Sequence, residues 1–257
     1  MANRDEGRVH DGERPIGARR ANYDVWGRQD WFMSSLLRDQ IGLALRTYAA
    51  PAPSGARALD VGCGAQPFRP ALESLGYTYT GLDAVQNPEG AVDIVCAIDE
   101  TLPQALIDRG PFQFMLCTEV LEHVADWNAA FANLAGLLAD GGYLFVTCPF
   151  FYPLHEEPYD FWRPTVHALR FYADRVGLQT TAIEGVGDAW DVLGTLSASC
   201  GWSPVRPGIF SRAMERLVSF GMRCVFTTLR RHWPQRLVNA HSKLYLANIA
   251  VFQKPSH

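Results

Sequence analysis

What the chain lacks narrows its class first. No uncharged run reaches the ~18 residues of a membrane-spanning helix, so none is expected. Residues 1–20 carry no apolar stretch of the secretory kind; they mix Arg, Asp, Glu and Gly and read as a disordered tail, and the cytoplasm is the expected compartment. The six cysteines (63, 96, 117, 148, 200 and 224) are dispersed and include no Cys-x-x-Cys, which excludes a disulfide scaffold or a zinc ribbon. Three of them end or follow expected strands, as small buried thiols do. His155, Glu156 and Glu157 are merely adjacent, no ligand spacing is legible, and no metal is expected. A net charge of −4 leaves no overall electrostatic footprint for nucleic acid, and none is expected as a partner. There are no internal repeats.

What is present is an alternation of apolar runs and helical stretches. Expected strands lie near 56–61, 77–82, 91–95, 112–118, 142–148, 179–186 and 246–252. Such alternation implies a mostly parallel sheet with helices on both faces. Residues 21–257 form one domain with three elaborations: an N-terminal helical lid (21–50), a loop (149–170) and a helical cap insertion (187–245). The first strand runs into Asp60-Val-Gly62-Cys63-Gly64, where glycines let backbone approach a ligand at a strand-to-helix turn. Asp83 ends the next strand, where a doubly wound sheet sets an acid against a ribose diol; the competing reading is a helix cap. A dinucleotide fold would want a third glycine where Pro67 stands, which disfavours nicotinamide or flavin cofactors.

The pattern Asp60-x-Gly62-x-Gly64 resembles motif I of the class I S-adenosylmethionine (SAM) methyltransferases, with Gln66 where that family usually has a glycine. Cys117-Thr-Glu-Val-Leu-Glu-His-Val124 resembles the segment after their fourth strand, and Ala139-Asp-Gly-Gly-Tyr-Leu-Phe-Val-Thr-Cys148 their Gly-Gly turn and fifth strand. The order of motifs matches from about Tyr23 to Gly187. The resemblance implies a doubly wound, mostly parallel, seven-stranded Rossmann-like α/β sheet with a late reversed hairpin, and SAM as cofactor. It would be held by Asp60, Gly62, Cys63, Gly64, Asp83, Ala84, Ile98, Thr118 and Glu119, with Tyr23 of the leading helix closing over it. Asp60 would orient the glycine loop or reach the methionine ammonium. Cys96, Ala97 and Ile98 stand where the family often has an acid for adenine, and Asp99 comes one or two positions late.

Methyl transfer to a hydroxyl needs alignment and removal of a proton. The residues for both cluster in Pro153-Leu-His-Glu-Glu-Pro-Tyr-Asp-Phe-Trp-Arg-Pro164. This segment resembles the His-x-x-Pro-x-Asp-Phe/Tyr-x-Arg loop of methyltransferases associated with glycan and natural-product clusters. His155 is the candidate base, with Asp160 as its orienter or as the base itself and His123 as the other candidate. Tyr159, Trp162 and Arg163 are candidates for acceptor binding; alternatively Asp160 and Arg163 pair to fix the loop while the aromatics pack. The expected activity is O-methylation of a small-molecule or carbohydrate-like acceptor. A non-catalytic SAM-binding partner protein, or an RNA or protein methyltransferase, is the alternative. Residues 206–236 carry seven arginines (206, 212, 216, 223, 230, 231 and 236) against Glu215 alone, on a helical apolar pattern. They read as an active-site cap or homodimer face, or as a peripheral contact with anionic lipid or a phosphorylated acceptor.

Overall fold

The computed structural model describes residues 31–49, 52, 54–199, 209–229 and 243–256. The tail 1–20, Tyr23, and Arg206, Arg230, Arg231 and Arg236 of the Arg-rich stretch lie outside them. Seven strands form one sheet in the order β3-β2-β1-β4-β5-β7-β6: β1 (Arg57–Val61), β2 (Thr78–Asp83), β3 (Ile94–Val95), β4 (Phe112–Thr118), β5 (Leu138–Pro149), β6 (Gln179–Val186) and β7 (Ala247–Gln253). β1 to β5 pair in parallel, and β7 runs antiparallel between β5 and β6. The central strands β1 and β4 are buried along almost their whole length because helices cover both faces.

Alternate residues feed two cores. Leu59, Val61, Met115, Cys117, Leu144 and Val146 pack with α4 (Trp127–Leu137) and α5 (Val166–Arg175). Ala58, Phe114, Leu116 and Phe145 pack with Phe32, Met33, Leu37 and Ile41 of α1 (Trp31–Ala44). The described part of the expected lid is therefore a core helix. α1 also meets α6 (Ala189–Ser199), where Gly194 admits the Phe32 ring. α7 (Ile209–Leu229) packs on α6, and Arg223 lies over the Trp31 ring at 5.7 Å.

Two strands depart from expectation. β3 is only Ile94–Val95, because side chains claim the backbone before it: the Ala91 amide donates to Asn87 Oδ1 at 2.8 Å and that of Val92 to Gln86 Oε1 at 2.9 Å. β5 starts four residues early, at Leu138, where an irregularity in its pairing with β4 absorbs the Gly141-Gly142 turn. β6 runs parallel to β5, since both are antiparallel to β7, so the 187–245 segment departs from the edge of the sheet that also carries the ends of β1, β2, β4 and β5. Ligands of open α/β sheets sit at that edge.

Candidate active site

At the end of β1 the chain turns through Gly62 (φ +71°) and Gly64 (φ +51°). A side chain on Gly62 would run into Val120, so glycine is required there for space as well as conformation. The Gly62 and Cys63 amides donate to the Leu82 carbonyl at 2.8 and 3.0 Å, hooking the turn over the end of β2. The buried Asp83 carboxylate accepts from the Gly64 amide at 3.0 Å and the Val85 amide at 3.2 Å, bracketing Ala84. Asn87 donates to the Gly64 carbonyl at 2.9 Å. Asp83 thus caps two turns at once.

Asp60 is buried in β1 and accepts from the Tyr79 hydroxyl at 2.9 Å. Burial pushes its carboxyl up to about 7, against that hydrogen bond and with the Asp83 charge adding to the rise. Its visible partner is a hydroxyl of the neighbouring strand rather than a loop amide. Ile98 is buried in the first core, and Asp99 Oδ2 accepts from the Asp126 amide at 3.3 Å, beside the start of α4.

After β4 the backbone is strained. Glu119 holds φ +55°; its amide donates to the Thr147 carbonyl at 3.1 Å and its Oε1 accepts from the Thr147 hydroxyl at 2.9 Å. Among the described residues Gln66, Glu119 and Glu156 are the non-glycine positions with positive φ, and they lie in the glycine turn, after β4 and in the loop after β5. Thr118 is buried beside Glu119. A 3₁₀ turn, Leu121–His123, follows. In it Glu122 is fully buried, and burial, with the Glu119 charge adding, raises its carboxyl well above the ordinary range.

The loop after β5 docks on this turn. The Phe161 and Trp162 amides both donate to the Glu122 carbonyl, at 2.8 and 3.2 Å. Trp162 Nε1 donates to the Val124 carbonyl at 2.9 Å, and its ring meets Trp127 at 5.9 Å. Arg163 grips the Asp160 carboxylate with both terminal nitrogens (2.6 and 2.7 Å) and donates further to the Tyr152, Pro153 and Trp162 carbonyls. The Asp160 side chain has no exposed surface. Burial alone would raise its carboxyl, but the Arg163 and His155-amide bonds outweigh this and hold it below the ordinary range. Asp160 and Arg163 therefore spend their hydrogen-bonding capacity on each other and on the loop, an arrangement that suits a clasp better than a base or an acceptor anchor.

His155 and His123 meet edge to face with ring centroids 4.7 Å apart, and Tyr152 covers the other side of His155 at 5.1 Å. Burial lowers the His155 pKa, His123 adds to the fall and Asp160 opposes it, so the ring is neutral at pH 7. The structure thus brings His123, His155, Tyr159, Asp160, Trp162 and Arg163 together at the ends of β4 and β5. Tyr159 offers its carbonyl to His123 Nδ1 at 2.7 Å. Sequence reasoning passed over Glu122, Tyr79 and Thr147. Glu122 alone carried a signal, as an acid flanked by the apolar Val120-Leu121 and Val124.

Residues 33–178 match the family model described as a methyltransferase domain. Over 104 residues the chain is 33% identical to a ubiquinone biosynthesis O-methyltransferase of Xanthomonas axonopodis pv. citri, covering 37% of this chain and 44% of that protein. The chain thus spans under half the length of the curated relatives it matches. Its fold is similar to a SAM-dependent methyltransferase from Archaeoglobus fulgidus (TM-score 0.51, 15% identity, 87% of this chain and 98% of that one). It is likewise similar to geranyl diphosphate C-methyltransferase from Streptomyces coelicolor A3(2), solved with Mg2+, geranyl diphosphate and S-adenosyl-L-homocysteine (TM-score 0.52, 13% identity, 86% and 78%). The extent of the family match, on a sheet of this order with a glycine turn capped by Asp83, establishes that the chain belongs to the methyltransferase domain family with the class I fold.

Proposed function

We propose that the protein transfers a methyl group from SAM to a hydroxyl oxygen of a small-molecule or glycan acceptor. The observation that carries this reading is the convergence of two unlike half-sites at one edge of the sheet. One is a glycine turn whose Gly64 amide is fixed by Asp83, and the other is a loop docked on the turn after β4, the two together presenting His123 and His155. The curated relatives are O-methyltransferases by name, which supports oxygen as the acceptor atom. The neighbour solved with S-adenosyl-L-homocysteine supports the cofactor.

In this reading Gly62, Cys63 and Gly64 line the amino-acid portion of SAM. Asp83, at the end of β2, faces the ribose diol, and Ala84 and Ile98 flank the adenine. Asp60 steadies the turn from below through Tyr79. Thr118 and Glu119 present oxygens near the cationic sulfonium. The acceptor enters over Tyr159 and Trp162. Its hydroxyl proton leaves to a neutral imidazole, with His155 as first candidate, while the oxygen attacks the methyl carbon in line and the carbon–sulfur bond breaks to give S-adenosylhomocysteine. No described helix is long and apolar enough to cross a membrane. α7 keeps Met214, Leu217, Phe220 and Val225 exposed beside Arg212 and Arg216, which supports a role in contacting an acceptor's apolar part, a second copy or a lipid surface.

The deciding experiment gives the full chain isotopically methyl-labelled SAM and a panel of phenolic, catecholic and sugar hydroxyl acceptors. Labelled methyl ether in at least one is expected. SAM binding without transfer to any acceptor would favour a non-catalytic SAM-binding protein.

A further inference from the structure

A helix on a folded core turns its apolar side inward, as α1 does with Phe32, Met33, Leu37 and Ile41. α7 is the reverse. Its half-buried positions include Ser211, Glu215, Ser219, Met222, Arg223 and Phe226, which recur every three or four residues and mark the side toward the body. Ser219, Met222 and Arg223 line a crevice with Phe32 and Gly194, and Phe226 packs against the second core. Four of those six residues are polar or charged.

The opposite side of α7 carries Met214, Leu217, Val218 and Val225 at the spacing of one helix face, with Phe220 beside them. All five are exposed, Phe220 at 65% and Leu217 at 64%, so the greater part of two large apolar side chains meets water. A contiguous apolar face of this kind is unfavourable in water and marks an interaction surface.

Charge identifies what covers it. Arg212 and Arg216, exposed and one turn apart, border the apolar face, while Glu215 lies half-buried on the body side. In the sequence Arg206 precedes the helix and Arg230, Arg231 and Arg236 follow it, with no further acid. Residues 206–236 therefore carry +6 in a chain whose net charge is −4, and the remainder stands at −10. A second copy seated on this face by a two-fold axis would set a strongly basic segment against itself. An anionic surface instead attracts every arginine and repels the acidic remainder, so it selects this face for approach. Arginine stems also lie along apolar surface while their guanidinium groups reach phosphate. No described helix is long and apolar enough to cross a membrane, which leaves α7 lying in the plane of the surface.

We infer that α7 is a docking surface for an anionic lipid membrane. Met214, Leu217, Val218, Phe220 and Val225 enter the boundary between headgroups and acyl chains, and Arg212 and Arg216 hold lipid phosphates at its rim. This inference stands independently of the methyl-transfer reading.

The test is cosedimentation of the full-length protein with vesicles of phosphatidylcholine alone and of an equal mixture with phosphatidylglycerol. Binding to the mixed vesicles, little to the neutral ones, and release as salt is raised are expected. Leu217→Gln combined with Phe220→Gln should weaken binding at least about tenfold, by removing apolar area from the docked face. Arg212→Gln combined with Arg216→Gln should weaken it about 25-fold at low salt, or about fivefold per arginine. All four positions are exposed, so both variants should fold, and circular dichroism and thermal melting check this. SAM affinity on the same samples tests the cofactor reading separately. No binding to either vesicle, equal binding to both, or double variants that bind as tightly as the parent would overturn the inference. So would a parent that ignores vesicles but self-associates in sedimentation, with the Leu217 and Phe220 double variant monomeric, since the face would then belong to a second copy.

Discussion

Between Gly62 and Asn87 the glycine-turn half of the candidate cofactor site is held by hydrogen bonds between groups 19 and 23 residues apart, with Asp83 and Asn87 holding the backbone of one turn. Between Glu119 and Arg163 the candidate acceptor site is assembled from segments 28 to 38 residues apart, and its contacts run through Thr147, His123 and Trp162 side chains. The first region is a local backbone motif of the kind suited to an invariant cofactor. The second is a docking of two segments whose side chains can vary without disturbing the turn. Cofactor binding and turnover should therefore separate cleanly on mutation.

The largest separation is expected for His155→Ala. Turnover should fall by about 10²–10⁴-fold while SAM affinity by calorimetry stays within about twofold of the parent; a comparable loss of SAM affinity would merge the two regions. Asp83→Ala should do the opposite, weakening SAM about 10–100-fold through loss of charge-assisted bonds, and circular dichroism would check that the turn survives. Asp60→Asn sharpens the boundary through pH. The folded protein keeps the Asp60 proton to about pH 7, whereas the unfolded chain releases it near 3.8, so this group's contribution to stability declines as pH rises between those values. The asparagine variant should show a flatter Tm–pH curve and gain on the order of a few kcal/mol above pH 7. Trp162→Phe removes the bond to the Val124 carbonyl and keeps an aromatic ring beside Trp127. Chemical denaturation should show a loss of about 1 kcal/mol, with acceptor KM rising and SAM affinity unmoved.

The contrast also explains what could be read in advance. Buried central strands announce themselves as short apolar runs, so β1 and β4 were legible, as was Asp83 at the end of β2, while the seven-stranded sheet with its late reversed hairpin followed from the family resemblance. β3 was overestimated because Gln86 and Asn87 claim the backbone of Ala91 and Val92, a competition that no periodicity reports. In the acceptor region the sequence exposed the unusual chemistry of the loop but not its assignments. Asp160 and Arg163 looked as able to meet an acceptor as each other, and only packing shows the bidentate clasp. Glu122 and His155 lie 33 positions apart, so their meeting depends on the Phe161 and Trp162 amides landing on the Glu122 carbonyl.

Asn248 of β7 donates to the Cys148 carbonyl at 3.2 Å and the Pro164 carbonyl at 2.8 Å, tying both ends of the acceptor loop across 100 and 84 residues of chain. On the ribosome, at about 5–20 residues per second, that clasp is made several seconds after the loop itself. The side-chain hydrogen bonds to the Gly64 backbone need nothing beyond Asn87. A nascent chain can thus make the bonds that fix Gly64 long before it can close the loop after β5, and the order of synthesis makes the docked loop the later of the two features.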